Sequence, residues 1–286
     1  MILDKRYVPY LLLAPFLIHF LIFVIYPLIF SLILTLHKWN ISMPMQWIGL
    51  KNFKRLFSDY YFWISIKNTL YFLIIHIPFQ LIIALGLALI LNQKIRFRGF
   101  ARALFFMPVV VSGVVISILW KELYNYESGV LNRILVMMDF QRIPFLINTK
   151  WAMPSIAIMA TWKNVGFYLV LFLVGLQNIP DSLYEAAEID GASNWQKFWH
   201  ITIPQLNPTI LLVVILSSIN GFSLFIEPYI MTGGGPLNST LSAMLYIYKQ
   251  AFFFNRLGYA ATLAFSFAII LFFIVTVQKK IIEKEN

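Results

Sequence analysis

From Val8 to Leu36 the chain contains no Lys, Arg, Asp or Glu, and it returns to such stretches again and again. A helix that crosses the hydrocarbon core of a bilayer needs about 20 mostly apolar residues. Six segments meet that length, at about 8–36, 69–91, 103–121, 151–176, 203–226 and 257–278. Only the fourth has a charge in its interior, Lys163. Runs this long are twice a barrel strand's length, and lipid cannot satisfy an open backbone, so the expected class is all-α: a polytopic membrane protein with six transmembrane helices in one domain over 1–286. Composition agrees, with 60% hydrophobic and 12% charged residues where a soluble domain has roughly 45–50% and about 25%.

The first segment is too long and ends in residues too bulky for a cleaved signal peptide, so it reads as an uncleaved first helix. Pro15, Pro27, Pro78, Pro108, Pro154 and Pro208 lie inside the spans, where neighbouring helices can re-satisfy the freed backbone groups. Cysteine is absent, which excludes disulfides and thiolate metal sites. His19 and His76 have no carboxylates close in sequence and suit helix-packing hydrogen bonds better than a metal or proton relay.

Six spans put both termini on one face. Flanking charges divide ten to eleven between the faces, but Lys94, Arg96, Arg98 and Arg102 crowd one short loop, and that density favours cytoplasmic termini. The net charge of +10 is then mainly a matter of membrane anchors, and nucleic acid is not an expected partner. Basic and aromatic residues alternate at roughly helical spacing from Lys51 to Trp63, as in a helix lying in the interface.

The loop at 180–204 does not have a loop's composition. Ser182 and Glu185 have capping-box spacing, helix formers follow, Gly191 permits a bend, Ser193 or Asn194 can restart a helix, and Pro204 interrupts it. Asp181, Glu185, Glu188 and Asp190 against Lys197 give the segment a charge of −3. An anionic leaflet would repel it, which favours a protein partner; a solvated connecting helix is the alternative that composition leaves open.

Glu185, Ala186, Ala187, Gly191, Ile201, Ile203 and Pro204 resemble the EAA motif of bacterial ABC importer permeases, with Ile203 where leucine is commoner. The segments 49–59, 92–108 and 232–252 resemble carbohydrate permeases of the maltose type, on the side of the larger maltose permease subunit. The resemblance implies the type I ABC importer permease fold in a bacterial or archaeal cell membrane. It also implies a second homologous permease, a cytoplasmic ABC ATPase dimer, an extracytoplasmic solute-binding protein and a carbohydrate substrate. ATP and Mg would sit on the ATPase and no cofactor on this chain, which has no phosphate-cradling Gly-rich loop followed by Lys and Ser or Thr; Gly233 to Gly235 lead into Pro236 and suit a tight turn. The chain is then a transport subunit and not itself an enzyme.

Glu185, Ala186, Ala187, Asp190, Gly191, Ile201, Ile203 and Pro204 are the residues expected to couple to the ATPase, with Gly191 as hinge. For the solute path, Lys163 inside the fourth span stands out with Trp162, Asn164 and Phe167, and the resemblance to the maltose-type site implies Ser217, Asn220, Gly221 and Leu224 in the fifth. Amides, hydroxyls and aromatic faces suit a sugar; the same residue types also hold helices together, and Lys163 can snorkel or pair across a subunit interface. Glu227 is placed at the outer end of the fifth span, facing a binding protein or the interface. A secondary transporter of a small polar solute is the competing reading, weakened by few intramembrane carboxylates and no visible repeat. An intramembrane enzyme would need a reactive constellation that the spans lack.

Overall fold

The computed structural model describes residues 8–93 and 96–283, so Lys5, Arg6, Lys94 and Lys284 of the charge argument lie outside the described residues. In chain order the elements are α1 (Val8–Phe20), a π turn (Leu21–Ile25), α2 (Tyr26–Leu34), β1 (His37–Asn40), β2 (Met43–Trp47), α3 (Lys51–Ser58), α4 (Tyr60–Asn92), α5 (Arg98–Val110), α6 (Gly113–Leu123), α7 (Val130–Met137), α8 (Ala152–Gln177), α9 (Asp181–Ile189), α10 (Asn194–Lys197), a second π turn (Phe198–Thr202), α11 (Ile203–Phe222), α12 (Ile226–Met231), α13 (Ala243–Tyr248), a third π turn (Lys249–Phe253) and α14 (Leu257–Glu283). Among the described residues five helical stretches are long and apolar enough to cross a membrane: Leu12–Leu34, Tyr60–Asn92, Ala152–Gln177, Asn194–Met231 and Leu257–Ile282. A sixth is reached when α5 and α6 count as one broken span.

That pair departs from the simple span expected at 103–121. α5 and α6 meet at 95°, with Val111 and Ser112 extended between them. Pro108 inside the last turn of α5 removes a backbone donor and crowds the preceding turn, which favours a stop there. The expected interfacial helix at 51–63 is also divided: α3 ends at Ser58, and Asp59 Oδ1 accepts from the N–H groups of Tyr61 (3.0 Å) and Phe62 (3.4 Å), capping α4.

The described residues fall into two compact units. One comprises the chain up to Phe62 and Ile247–Ala268. In it β1 and β2 pair antiparallel, and buried Asn52 donates to the carbonyls of Thr35 (2.8 Å) and His37 (3.0 Å). Tyr259 donates its phenol hydrogen to Asp59 and lies under the Arg55 guanidinium.

The other unit comprises Trp63–Tyr246 and the chain from Ile269. Its core joins Ala84 and Ala88 of α4, Tyr168, Leu169, Phe172 and Leu173 of α8, and Leu206 and Val213 of α11. α8 is buried on most of its circumference, as befits the centre of a bundle. Small residues let the backbones approach: a Cβ on Gly166 would stand 2.1 Å from the Phe105 carbonyl oxygen of α5. Polar clasps add to this, with Ser218 and Gln278 exchanging hydrogen bonds of 3.0 and 2.9 Å.

Candidate functional sites

The loop at 180–204 folds into an elbow of two short helices. α9 starts at Asp181 on an extended Pro180, so Ser182 is already helical and caps nothing; no side chain caps this helix. The expected capping box at Ser182 is therefore corrected, because an N-cap needs a non-helical backbone. The box forms one helix later: Gln196 N–H reaches Ser193 Oγ at 3.3 Å, and Ser193 N–H reaches Gln196 Oε1 at 2.8 Å. Between the two helices Gly191 adopts φ +77°. Ala192 N–H donates to the Ala187 carbonyl (2.8 Å) and Gly191 N–H to that of Glu188 (3.1 Å), the paired closure of a Schellman motif, which needs a left-handed residue at this point.

Two side-chain contacts fasten the elbow. Lys197 Nζ lies 2.7 Å from Glu188 Oε1, and that hydrogen bond together with the ammonium charge holds the Glu188 carboxyl below its usual range. Tyr184 OH and Thr202 Oγ1 are 2.9 Å apart, which ties α9 to the π turn at the base of α11. Pro204 does not interrupt the helix as expected. In the π turn Ile203 N–H reaches back five residues to the Phe198 carbonyl, and the altered spacing lets the proline sit in the first turn of α11.

Glu185, Ala186, Asp190, Gly191 and Pro204 are exposed, while Ala187, Ile201 and Ile203 are half-buried. Composition alone did not single out the apolar side chains beside them: Ile189 is 88% exposed and Trp195 70%. Isolated apolar residues on a surface are ordinary; here two large ones stand beside an acidic helix.

The second place is a cavity of about 270 Å³ between α4, α8, the end of α11 and α12, lined by Phe72, His76, Ala160, Lys163, Asn164, Asn220, Gly221, Ser223, Leu224, Ile226 and Glu227. Five of the eight predicted pathway residues meet there: Lys163, Asn164, Asn220, Gly221 and Leu224. Within this chain Lys163 is paired: its Nζ is 3.2 Å from Glu227 Oε1. Glu227, expected at an outer interface, is instead turned inward and 8% exposed. Either charge alone would be costly at this depth, and each supplies the other's partner.

His76 makes the helix-packing bond expected of it, Nδ1 to Thr161 Oγ1 at 2.8 Å, and its ring stacks on Phe72 at 4.8 Å. Asn220 donates to Tyr168 OH at 3.0 Å. The other three predicted residues lie elsewhere. Trp162 lines an apolar groove with Trp120, their rings 5.5 Å apart; Phe167 packs edge-on against Tyr168; Ser217 is fully buried in α11. A wider recess of about 830 Å³ is lined by Lys121, Tyr124, Asn125 and Tyr126 together with Gly233, Gly235 and Pro236. Gly233 and Gly234 have positive φ, as a tight turn requires.

Residues 80–284 match the family model described as "Binding-protein-dependent transport system inner membrane component". Over 270 residues the chain is 39% identical to the lactose transport system permease protein LacF of Rhizobium radiobacter, covering 91% of this chain and 90% of that one. It is 34% identical to the trehalose/maltose transport system permease protein MalF of Thermococcus litoralis, over 94% and 92% of the two chains. Its fold is similar to a chain of a bacterial ABC transporter that imports the acidic polysaccharide alginate, with a TM-score of 0.84 at 26% identity over 98% and 96% of the chains. A bacterial alginate ABC transporter in complex with alginate pentasaccharide-bound periplasmic protein gives 0.83 at 26% identity, over 96% and 93%.

Proposed function

The chain belongs to the binding-protein-dependent transport system inner membrane components, and on that premise we propose how it works. It is a multi-pass membrane permease subunit of an ABC importer that passes a carbohydrate across the cell membrane. With a second, homologous permease it forms the pathway, and an extracytoplasmic binding protein delivers the sugar. ATP and Mg act on a cytoplasmic ATPase dimer. Both termini and the elbow face the cytoplasm.

One observation carries the coupling: the elbow presents Glu185, Ala186, Ile189 and Trp195 outward while Glu188 clamps α9 to α10 and Tyr184 binds α9 to the π turn at the base of α11. An element docked on one side and clamped on the other transmits displacement instead of absorbing it. Closing the ATPase dimer carries the elbow and turns α11 and α8, which share the core, between two access states. ATP shifts that equilibrium only through its differential affinity for the two states. Glu185 makes the charged contact and Gly191 sets the angle.

The polar cavity at Lys163, Asn164 and Asn220 is this chain's share of the sugar path. An ion-coupled secondary transporter would need an ionisable group free to load an ion, whereas the two charges lining this cavity are paired with each other. The test is purification of the tagged chain in mild detergent. A co-purifying ATPase and permease, with ATP hydrolysis stimulated by a sugar-loaded binding protein, support the reading; a chain that moves solute without either companion overturns it.

A further inference from the structure

The charge of the transported sugar is written into the cavity, and this inference rests on the cavity being part of the sugar path. Lys163 and Glu227 are the only Lys, Arg, Asp or Glu among its lining residues. They lie 3.2 Å apart with side chains 16% and 11% exposed. A lone shielded ammonium would be a ready seat for a carboxylate, sulfonate or phosphate on a solute. Here that seat is taken by a built-in counter-ion.

An anionic sugar would have to displace Glu227 from Lys163 and leave a shielded carboxylate without its partner beside a second negative charge, a strongly unfavourable arrangement. An uncharged sugar meets no such obstacle. Lys163 has donors to spare after one hydrogen bond, Glu227 keeps a second acceptor oxygen, and Asn164 and Asn220 offer amides, so hydroxyls that both donate and accept can bridge them.

The lysine head also packs against the start of α6: a Cβ on Gly113, its first residue, would stand 2.8 Å from Lys163 Nζ, the movable end of that side chain. We infer that the Lys163–Glu227 pair is a specificity element that admits uncharged di- and oligosaccharides and rejects acidic ones. Since a transporter of similar fold imports acidic alginate, the fold does not dictate the charge; the residues lining the path do.

The assembled importer in nanodiscs, without its binding protein so that selectivity upstream is removed, is probed by saturation-transfer NMR with maltose, lactose and raffinose against digalacturonate and an alginate trisaccharide. Wild type is expected to bind at least one neutral sugar at least tenfold more tightly than either uronate. Glu227→Gln, which frees the lysine, should reduce that preference at least tenfold. The exchange Lys163→Glu with Glu227→Lys keeps the pair neutral and should keep the wild-type preference, so the inference stays testable where the single variant fails to insert. Equal or tighter uronate binding by wild type, or a preference unmoved by Glu227→Gln, overturns the inference and leaves the permease reading standing. Binding of neither class to wild type or variants removes the cavity from the sugar path, and the inference falls with it.

Discussion

Tyr184 and Thr202, 18 residues apart in sequence, bring their hydroxyls to 2.9 Å and so join the acidic short helix to the foot of α11. The bond crosses the bend at Gly191, and in the proposed coupling it is a link by which motion of α9 would reach the membrane helices. A neutral hydrogen bond contributes roughly 0.5–1.5 kcal/mol, too little to decide whether the chain folds. Tyr184→Phe should therefore insert normally and still support ATP hydrolysis, while transport per ATP falls several-fold. Parallel uptake and ATPase assays in proteoliposomes check this; an unchanged ratio would mean that the bond carries no coupling.

Gly191 tests the elbow's shape. Nothing lies within 4 Å of a Cβ built there, so alanine meets only the cost of a left-handed backbone, about 1–2 kcal/mol. Proline cannot reach φ +77° and also removes the N–H that bonds the Glu188 carbonyl. Uptake should fall in the order wild type, Gly191→Ala, Gly191→Pro, with the last near background and all three present equally in membranes. Glu185→Lys should resemble the proline variant, since it reverses a charge on the docking face.

The pairing of Glu188 with Lys197 gives the elbow a defined response to acid. Because the carboxyl is held below its ordinary value of 4.5 in the fold, the contact is fully present above that value. It is lost as pH falls through the lower, folded-state value. Lys197→Met should return the Glu188 titration to the ordinary range. Carbon-13 NMR of labelled glutamate, assigned with Glu188→Gln, reads the shift directly.

Close packing of α5 on α8 predicts that Gly166→Ala is poorly tolerated. The new methyl would meet the Phe105 backbone, which cannot rotate away, and overpacking of this kind costs typically 1–3 kcal/mol, occasionally more. Gly175→Ala meets the side chains of Thr209 and Leu206, which can adjust. Thermal unfolding in detergent should show the larger drop in melting temperature for Gly166→Ala.

The shielded ion pair predicts strong non-additivity. Lys163→Met or Glu227→Gln alone leaves one charge unpaired, at about 3–5 kcal/mol, whereas the two combined leave none and should cost less than either single change. A double-mutant cycle on unfolding in detergent measures the coupling.

The long spans were legible because length without charge is a one-dimensional property. The bend between α5 and α6 was not, since a broken span and a straight one have the same length and composition; Pro108 was visible, but its effect depends on what surrounds it. The elbow was legible from its helix formers and the permissive Gly191, and the family resemblance added its coupling role, while its fastenings at Tyr184–Thr202 and Glu188–Lys197 exist only once the chain has turned back. Ser182–Glu185 and Ser193–Gln196 fit the capping pattern equally well, and only the backbone shows that the first serine lies inside its helix. Lys163 and Glu227 are 64 residues apart. The cost of a lone charge in a span is the one sequence signal that they belong together.

Since the natural chain has no cysteine, a single introduced thiol reports from one place. Ile189→Cys, on the exposed face of α9, should react with a membrane-impermeant maleimide in inside-out vesicles stripped of peripheral proteins, be protected when the ATPase is bound, and cross-link to that ATPase. Labelling from the outer face of intact cells, or reactivity indifferent to the ATPase, would contradict the assignment of this elbow as the joint between motor and membrane.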